Sequence, residues 1–425
     1  MRQRNRRVRW EGLLWIACLV LAPLAAGEES TRAALIKAER EKKAADLRPD
    51  EPARAEAFMN KYLNRNATQK LTIGAYGLSL KIGGAATGQG FALGPQYLRQ
   101  DLRRGNVSLL TNYQITDSAS TRGEFTLALP RLANERMYLD FSARRHNYNR
   151  IDYYGPGPDS EKDGRTNYRY EDMAFDSRFW VNLGRSFFAG PSAGAVMVNV
   201  GPGKNEDVSS TEEVYTPEQA PGIDRQTDFL RFGAVAGFDW RDSPLGARQG
   251  GVYGAVYDYY KDTGIKKHDF HMLKLRAEQY LPYHNKRRVI ALRAQTILTW
   301  ARSGQVVPFY FQPVLGGSEE LRGYRSYRFY GDNALMMNAE YRWEVFSGMD
   351  AAVFADAGKV FQDKAKLNFK DLESDVGFGF RFNIRNATFL RLDFGFSHEG
   401  FMFWMKFNDV FVKKPVGRSS PEHIF

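Results

Sequence analysis

LGGSEELRGYRSYRFYGDN, the stretch from Leu315 to Asn333, joins two segments in which apolar and polar residues alternate. It contains the tetrapeptide Leu321-Arg322-Gly323-Tyr324 and carries three arginines among several aromatic residues. A connection of this length inside a compact domain is uncommon and usually has a function of its own. We therefore expect this loop to do more than join two strands.

The segments on both sides of this loop repeat with a period of two, which is the period of a β-strand. In residues 377–384 the large apolar side chains fall on one face, whereas Arg381 and Asn383 fall on the other. In residues 271–281 leucines oppose Lys274 in the same way. Charged residues opposite bulky apolar residues are typical of a transmembrane barrel with a polar lumen. A soluble β-sandwich also alternates, but its core needs two sheets, and the many arginines opposite aromatic residues favour the barrel.

The alternating segments number about sixteen and lie between residues 69 and 412. The predicted fold is therefore all-β, a sixteen-stranded antiparallel transmembrane β-barrel. Connections after odd-numbered strands include three long ones, at residues 148–166, 201–226 and 301–331, whereas those after even-numbered strands are mostly short. Short periplasmic turns and long outer loops are the known asymmetry of outer-membrane barrels. The pattern thus predicts a protein of the cell outer membrane with both barrel ends in the periplasm.

Residues 1–27 are typical of a signal peptide. Residues 1–9 carry five arginines, and residues 12–27 are almost wholly apolar up to a predicted cleavage site after Ala26 or Gly27. A transmembrane anchor is the alternative, but Pro23 and the short apolar length favour an exported protein. The chain's single cysteine, Cys18, lies in this segment, so the mature chain is predicted to contain no disulfide.

Two further segments flank the predicted barrel. Residues 28–68 are charged, rich in alanine and poor in β-branched residues, which predicts a short helical N-terminal arm in the periplasm. Roughly 40 residues are too few for a core of their own, so a solvated linker is the alternative. Residues 413–425 are predicted to form a C-terminal tail. The formal net charge of +11 includes the five arginines of residues 1–9, and the remaining excess is scattered and forms no basic run, which argues against nucleic-acid binding.

Three motifs together resemble the outer-membrane assembly-factor superfamily, the BamA/TamA-like bacterial surface antigen barrels. LGGSEELRGY resembles the sixth extracellular loop of that family and lies between the eleventh and twelfth predicted strands, as it does there. FADAG, with Phe354 and Gly358, is similar to the family's Phe-x-Asp-x-Gly on the thirteenth strand. FDWRDSPLGARQG, with Asp239, Arg241 and Asp242, resembles the turn between the eighth and ninth strands. The resemblance covers the whole predicted barrel.

The sequence also predicts a contact that would hold the long loop inside the lumen. By alternation Glu340 and Asp356 point into the barrel. If the loop folds back, the planar guanidinium of Arg322 suits two carboxylates, and Gly323 permits a close backbone approach. The resemblance implies the same contact, and it assigns Arg322, Gly323, Tyr324, Glu340 and Asp356 to a loop lock. The alternative is that Arg322 is a surface arginine and that Asp356 pairs with a neighbouring strand.

No catalytic motif in the sequence is convincing. Residues 190–194 match Gly-x-Ser-x-Gly, but that motif needs a strand before it and a helix after it, and the residues that follow are typical of a strand. The six histidines show no metal-ligand spacing, and no Gly-x-x-x-x-Gly-Lys-Ser/Thr phosphate loop occurs. We therefore predict no enzyme, no metal site and no cofactor.

The resemblance implies insertion of proteins into the outer membrane, or translocation of proteins or lipids across it, without a cofactor. It implies that the barrel meets outer-membrane lipids, unfolded barrel or secreted substrates, and a periplasmic partner protein. The family usually carries polypeptide-transport-associated domains before the barrel, and residues 28–68 are too few for even one. A passive diffusion channel and a structural surface barrel therefore stay open as alternatives.

Overall fold

The computed structural model describes six ranges of the chain, residues 29–45, 76–84, 88–184, 186–243, 246–384 and 387–407. The predicted signal peptide at residues 1–27, the second half of the predicted arm and the predicted tail at residues 413–425 lie outside these ranges. The chain divides into two compact units, Met1–Ala55 and Glu56–Phe425.

The described part of the first unit is one helix, α1, which spans Glu29–Ala45. Alanine, glutamate and lysine make up most of α1, and these residues have high helix propensity. The side chains of Leu35 and Ile36 are exposed on it. The predicted short N-terminal helix is thereby confirmed. No helix within the described ranges has the length and apolar character needed to cross a bilayer.

The second unit is all-β and forms a nearly closed barrel. Sixteen antiparallel strands make one sheet in which each strand is hydrogen-bonded to its neighbours in chain order, which confirms the predicted fold. The strands are β1 Leu78–Gly83, β2 Ala92–Leu102, β3 Val107–Thr116, β4 Thr121–Leu132, β5 Met137–Tyr153, β6 Thr166–Leu183, β7 Phe187–Pro202, β8 Phe229–Asp239, β9 Gly250–Asp262, β10 Phe270–Tyr283, β11 Arg288–Ala301, β12 Asn333–Phe346, β13 Met349–Phe361, β14 Glu373–Ile384, β15 Ala387–Ser397 and β16 Gly400–Lys406.

Short helices lie in the connections between strands. Helix α2, Thr211–Val214, begins where the backbone N–H of Ser210 donates to the carboxylate of Glu213 at 3.2 Å. Four 3₁₀ turns span Arg103–Gly105, Lys162–Gly164, Phe309–Phe311 and Lys364–Lys366.

The connections fall into two groups at opposite ends of the barrel. Those after even-numbered strands are mostly short turns, such as residues 133–136 and 347–348, and we call this end the turn side. Those after odd-numbered strands include the long connections at residues 154–165, 203–228 and 302–332, and we call this end the loop side. The asymmetry agrees with the sequence pattern.

The two faces of the sheet differ in chemistry. On the outer wall of β14–β16 phenylalanines contact one another: Phe378 and Phe394 stack with ring centroids 4.9 Å apart, and Phe403 lies tilted against Phe394 at 5.0 Å. On the inner wall of the same strands the charged side chains of Arg381 and Asp393 are buried. An apolar outside and a charged inside are the arrangement of a barrel that sits in a membrane.

The long connections meet over the loop side in an aromatic cluster, which we call the aromatic cap and define as Tyr153, Tyr215, Phe309 and Tyr330. The ring of Tyr153 lies edge-on against the other three, at centroid distances of 5.0, 5.3 and 4.8 Å respectively. Nearby, the ammonium of Lys162, in the connection after β5, donates to the backbone carbonyl of Glu399 in the last hairpin at 2.8 Å. That connection therefore reaches from β5 to the β15–β16 hairpin at the end of the sheet.

Candidate functional site

The connection between β11 and β12 folds back toward the inner wall of the barrel. Its two ends close on each other, because Val314–Leu315 and Phe329–Tyr330 pair as a short antiparallel ladder. Leu321 and Tyr324 are fully buried and belong to the same apolar cluster as this ladder. The closed base places the loop tip, residues 321–324, against the inward side chains of β12 to β15.

The structure brings Arg322, Glu340 and Asp356 together at this tip. The guanidinium Nη1 of Arg322 donates to Glu340 Oε2 at 2.6 Å. Its Nε and Nη2 donate to the two oxygens of Asp356 at 2.7 and 2.8 Å, and the backbone N–H of Arg322 adds a bond to Asp356 Oδ2 at 3.2 Å. The aromatic ring of Phe354 lies under the guanidinium, 3.4 Å from ring centroid to Cζ. Arg322 thus uses its planar fork on one carboxylate and its remaining edge on the other.

Because its charged groups are buried, this contact is stable only when every group keeps its partners. The side chains of Arg322, Glu340 and Asp356 are all inaccessible to solvent. Removing such ions from water costs several kcal/mol each, and only close, fully hydrogen-bonded partners offset that cost. Burial alone would lower the pKa of Arg322, but the carboxylates of Asp356 and Glu340 raise it well above its ordinary value. The arginine therefore stays positively charged beside the two carboxylates.

Further arginines surround Glu340, and the sequence prediction did not include them in the site. Arg342 donates to Glu340 Oε1 at 2.7 Å, and Arg381 donates to its two oxygens at 3.0 and 2.9 Å. Arg381 also lies 2.6 Å from Asp393, which in turn accepts from Arg391 at 2.8 Å. This network extends from β12 across β14 to β15. Alternation alone places these side chains on the inner face, but it does not say which of them meet.

Gly323 and Tyr324 fix the rest of the loop tip. A Cβ built on Gly323 would lie 2.5 Å from the Cβ of Asp375, so the close backbone approach requires glycine at this position. The hydroxyl of Tyr324 donates to Glu373 Oε2 at 2.8 Å. Burial, and then the neighbouring Glu373 carboxylate, raise the pKa of the Tyr324 hydroxyl. The tyrosine is thus a neutral hydrogen-bond donor in the folded protein.

The two other predicted motifs lie in different places. Phe354 and Gly358 are on β13 beside Asp356, and a Cβ on Gly358 would lie 2.8 Å from the Leu335 carbonyl oxygen. Asp239, Arg241 and Asp242 are instead at the turn side.

At that turn Arg241 Nη2 donates to Asp239 Oδ2 at 2.7 Å. Asp242 accepts from the backbone N–H groups of Arg248 and Gln249 at 3.0 and 3.1 Å, and from Lys286 in the next turn at 3.0 Å. Arg248 continues the chain of contacts with two bonds to Asp350 on β13, at 2.8 and 2.7 Å. These residues tie neighbouring turns together, and they do not reach the lock.

The chemistry of the site is ion pairing. Within the described ranges no group of three or more side chains is arranged to hold a metal ion. Residues 190–194, which match Gly-x-Ser-x-Gly, lie inside β7, so the strand–turn–helix geometry of a nucleophile elbow is not formed there.

Comparison with known proteins agrees with this geometry. The model of the Omp85 superfamily domain matches residues 95–400. Among solved structures, the chain is similar to BamA from Haemophilus ducreyi lacking POTRA domains 1-3, with 15% identity and a TM-score of 0.59 over 78% of this chain and 70% of that one. It is also similar to CdiB from Escherichia coli, with 12% identity and a TM-score of 0.54 over 77% of this chain. Only 61% of that CdiB chain is covered, which is less than two thirds.

At these identities the likeness to the solved structures shows the fold. No curated protein matches the chain.

Proposed function

The chain belongs to the Omp85 superfamily, and on that premise we propose that it is an outer-membrane barrel that inserts proteins into the membrane or moves them across it. Omp85-family barrels sit in the bacterial outer membrane, and the apolar outer wall of this barrel suits the same place. Its proposed partners are outer-membrane lipids, a periplasmic partner protein, and unfolded barrel or secreted substrates.

The observation that carries this proposal is a locked inner loop in a barrel whose two edge strands are short. β1 has six residues and β16 has seven, and among the described residues no ladder joins them. An unpaired strand edge presents free N–H and C=O groups on which an incoming strand can pair. In the proposed mechanism the lock at Arg322 holds the loop in place while this edge opens.

The aromatic cap favours controlled passage over a permanently open pore. Its rings join the connections after β5, β7 and β11 at the loop side. A passive diffusion channel remains the alternative, because the fold by itself does not fix the function. A purely structural barrel would need neither the lock nor an open edge.

The test is catalysed insertion into liposomes. Liposomes that contain the folded protein receive a urea-unfolded copy of the same chain, and heat-modifiable gel migration measures how fast that copy folds. We expect the wild type to accelerate folding over empty liposomes, and Arg322→Ala to lose most of the acceleration. Arg302→Ala is the matched control, because Arg302 is an exposed arginine of the same connection.

Absence of acceleration by the wild type would refute the assembly proposal. A steady conductance in planar bilayers that Arg322→Ala leaves unchanged would favour the passive channel.

A further inference from the structure

The edges of the sheet, β1 and β16, lie close together along a seam. A Cβ built on Gly83, at the end of β1, would lie 3.9 Å from the Cβ of Phe407, which follows β16. The ring of Phe407 also lies edge-on to that of Phe91, with centroids 6.5 Å apart. Edges that lack ladder hydrogen bonds need other contacts to stay together.

The loop tip supplies such contacts on the side of the last hairpin. The indole Nε1–H of Trp404, on β16, donates to the backbone carbonyl of Arg322 at 2.8 Å. The hydroxyl of Ser397, at the end of β15, donates to the backbone carbonyl of Gly323 at 2.8 Å. Both bonds go to the main chain of the loop, so they are distinct from the side-chain lock on Asp356.

A glycine on β15 allows this close approach. A Cβ built on Gly395 would lie 2.3 Å from the carbonyl oxygen of Arg322 and 2.8 Å from the nitrogen of Gly323. Any side chain at this position would therefore push the loop away from the last hairpin. The inner face of β15 and β16 is shaped for the loop main chain.

The same loop also contacts the first hairpin. A Cβ built on Gly88, in the connection between β1 and β2, would lie 3.1 Å from the Cβ of Ser326 and 3.8 Å from the ring of Tyr327. Ala92, the first residue of β2, is fully buried in a cluster against which Tyr327 packs. Residues 322–327 therefore contact both sides of the seam from within the lumen.

We propose that residues 322–327 form an internal brace across the seam, and that Trp404 is the positioning residue that fixes the last strand to this brace. The brace deepens the proposed function and rests on it, because it says how an edge that must open is kept shut between events. Opening the seam then requires the Trp404 indole to leave the Arg322 carbonyl. The loop and the seam become one device, in which the edge opens only when the loop moves.

The experiment records single-channel openings of the purified full chain in planar bilayers. Trp404→Phe keeps the aromatic body of the side chain and removes only the N–H donor. Loss of one buried hydrogen bond corresponds to a rise of about three- to tenfold in the open fraction. Trp343→Phe is the matched control, since Trp343 lies on the outward face of β12 and should leave the openings unchanged.

A disulfide across the seam shows where the effect arises. The pair Gly83→Cys and Phe407→Cys is made together with Cys18→Ser, which removes the chain's only cysteine. The Cβ separation of 3.9 Å is within disulfide reach, and the Gly83→Cys single variant controls for the strain of a side chain at the φ of +148° of Gly83. Oxidation should abolish the extra openings of Trp404→Phe, and reduction should restore them. Ser397→Ala removes the other main-chain bond without touching the tryptophan, and it should behave in the same way even if Trp404→Phe fails to fold.

Two results would overturn the brace. One is that the extra openings persist in the oxidised pair, and the other is that Trp404→Phe and Ser397→Ala both open as rarely as the wild type. The liposome assay judges the proposed function separately. If insertion is catalysed but Trp404→Phe and Ser397→Ala leave the openings unchanged, only the brace is refuted. If both variants raise the openings but insertion is not catalysed, only the assembly function is refuted.

Discussion

Glu340 and Asp356, the two carboxylates of the lock, should rank in opposite orders in two measurements. One is the loss of unfolding free energy in single mutants, and the other is the coupling free energy with Arg322 in double-mutant cycles. Glu340 contacts three arginines, Arg322, Arg342 and Arg381, and Arg322 supplies only one of the hydrogen bonds it accepts. Asp356 accepts two bonds from the Arg322 side chain and one from its backbone, and it also accepts from the amide of Asn338 at 2.8 Å. The lock therefore depends mainly on Asp356, whereas the surrounding network depends mainly on Glu340.

The numbers of hydrogen bonds give the expected coupling free energies. A hydrogen bond to a charged group contributes about 1.5 kcal/mol or more. The coupling free energy between Arg322 and Asp356 should therefore be about 3 kcal/mol, and that between Arg322 and Glu340 about 1.5 kcal/mol. Glu340→Gln alone should nevertheless lower the free energy of unfolding more than Asp356→Asn alone, because it removes a negative partner from three buried arginines. Breaking a buried pair costs about 3–5 kcal/mol.

The assay is urea unfolding of the barrel in detergent micelles, followed by the fluorescence of the five tryptophans within residues 69–412. Arg322→Ala, each carboxylate variant and both double variants give the two cycles. The exposed pair Arg131–Glu135, at 3.2 Å, serves as the control and should couple by less than about 1 kcal/mol. A coupling with Glu340 that equals or exceeds the coupling with Asp356 would refute this account of the lock.

Two further predictions concern glycine packing and acid sensitivity. Gly395→Ala should displace the loop and expose residues 315–330 to protease, because its Cβ would lie 2.3 Å from the Arg322 carbonyl oxygen. Gly123→Ala is the control: its Cβ would have its nearest contact at 3.5 Å, so this variant should be cut no faster than the wild type. Burial alone would raise the pKa of Asp242, but hydrogen bonds from backbone N–H groups and Lys286 lower it below its ordinary value of 3.8. The stability that Asp242 contributes is therefore present above pH 3.8 and is lost as the pH falls through the lower folded pKa. Asp242→Asn should thus flatten the acid limb of a curve of unfolding free energy against pH. Parallel acid limbs for the variant and the wild type would contradict this.

Much of the barrel could be predicted from the sequence because its signals are local. Alternation over ten or so residues assigns each strand and tells which face is inward, and turn and loop lengths fix the order of the strands. The inward direction of Glu340 and Asp356 follows from that parity.

The partners of those residues could not be predicted in the same way, because they depend on the height of each residue in the barrel. Arg381 is 41 positions from Glu340 in sequence and lies two strands away, and Trp404 is 82 positions from Arg322. Such meetings are set by the stagger between strands, which parity does not contain. The motif predicts the contact of Arg322, whereas the hydrogen bond from Trp404 to the Arg322 carbonyl exists only in the folded barrel and has no signal in the sequence.

The arginine network also has a consequence for the order in which the barrel is built. Glu340 enters with β12, yet Arg381 enters with β14 and the Asp393 that neutralises Arg381 enters with β15. A chain that has folded only as far as β14 holds Arg381 without Asp393, and an incompletely paired charge inside a membrane protein is costly. The last hairpin therefore supplies Asp393, the second carboxylate that Arg381 contacts. A barrel that stops at β14 leaves Arg381 with Glu340 alone, so the charged network of the lumen is complete only once β15 has joined the sheet.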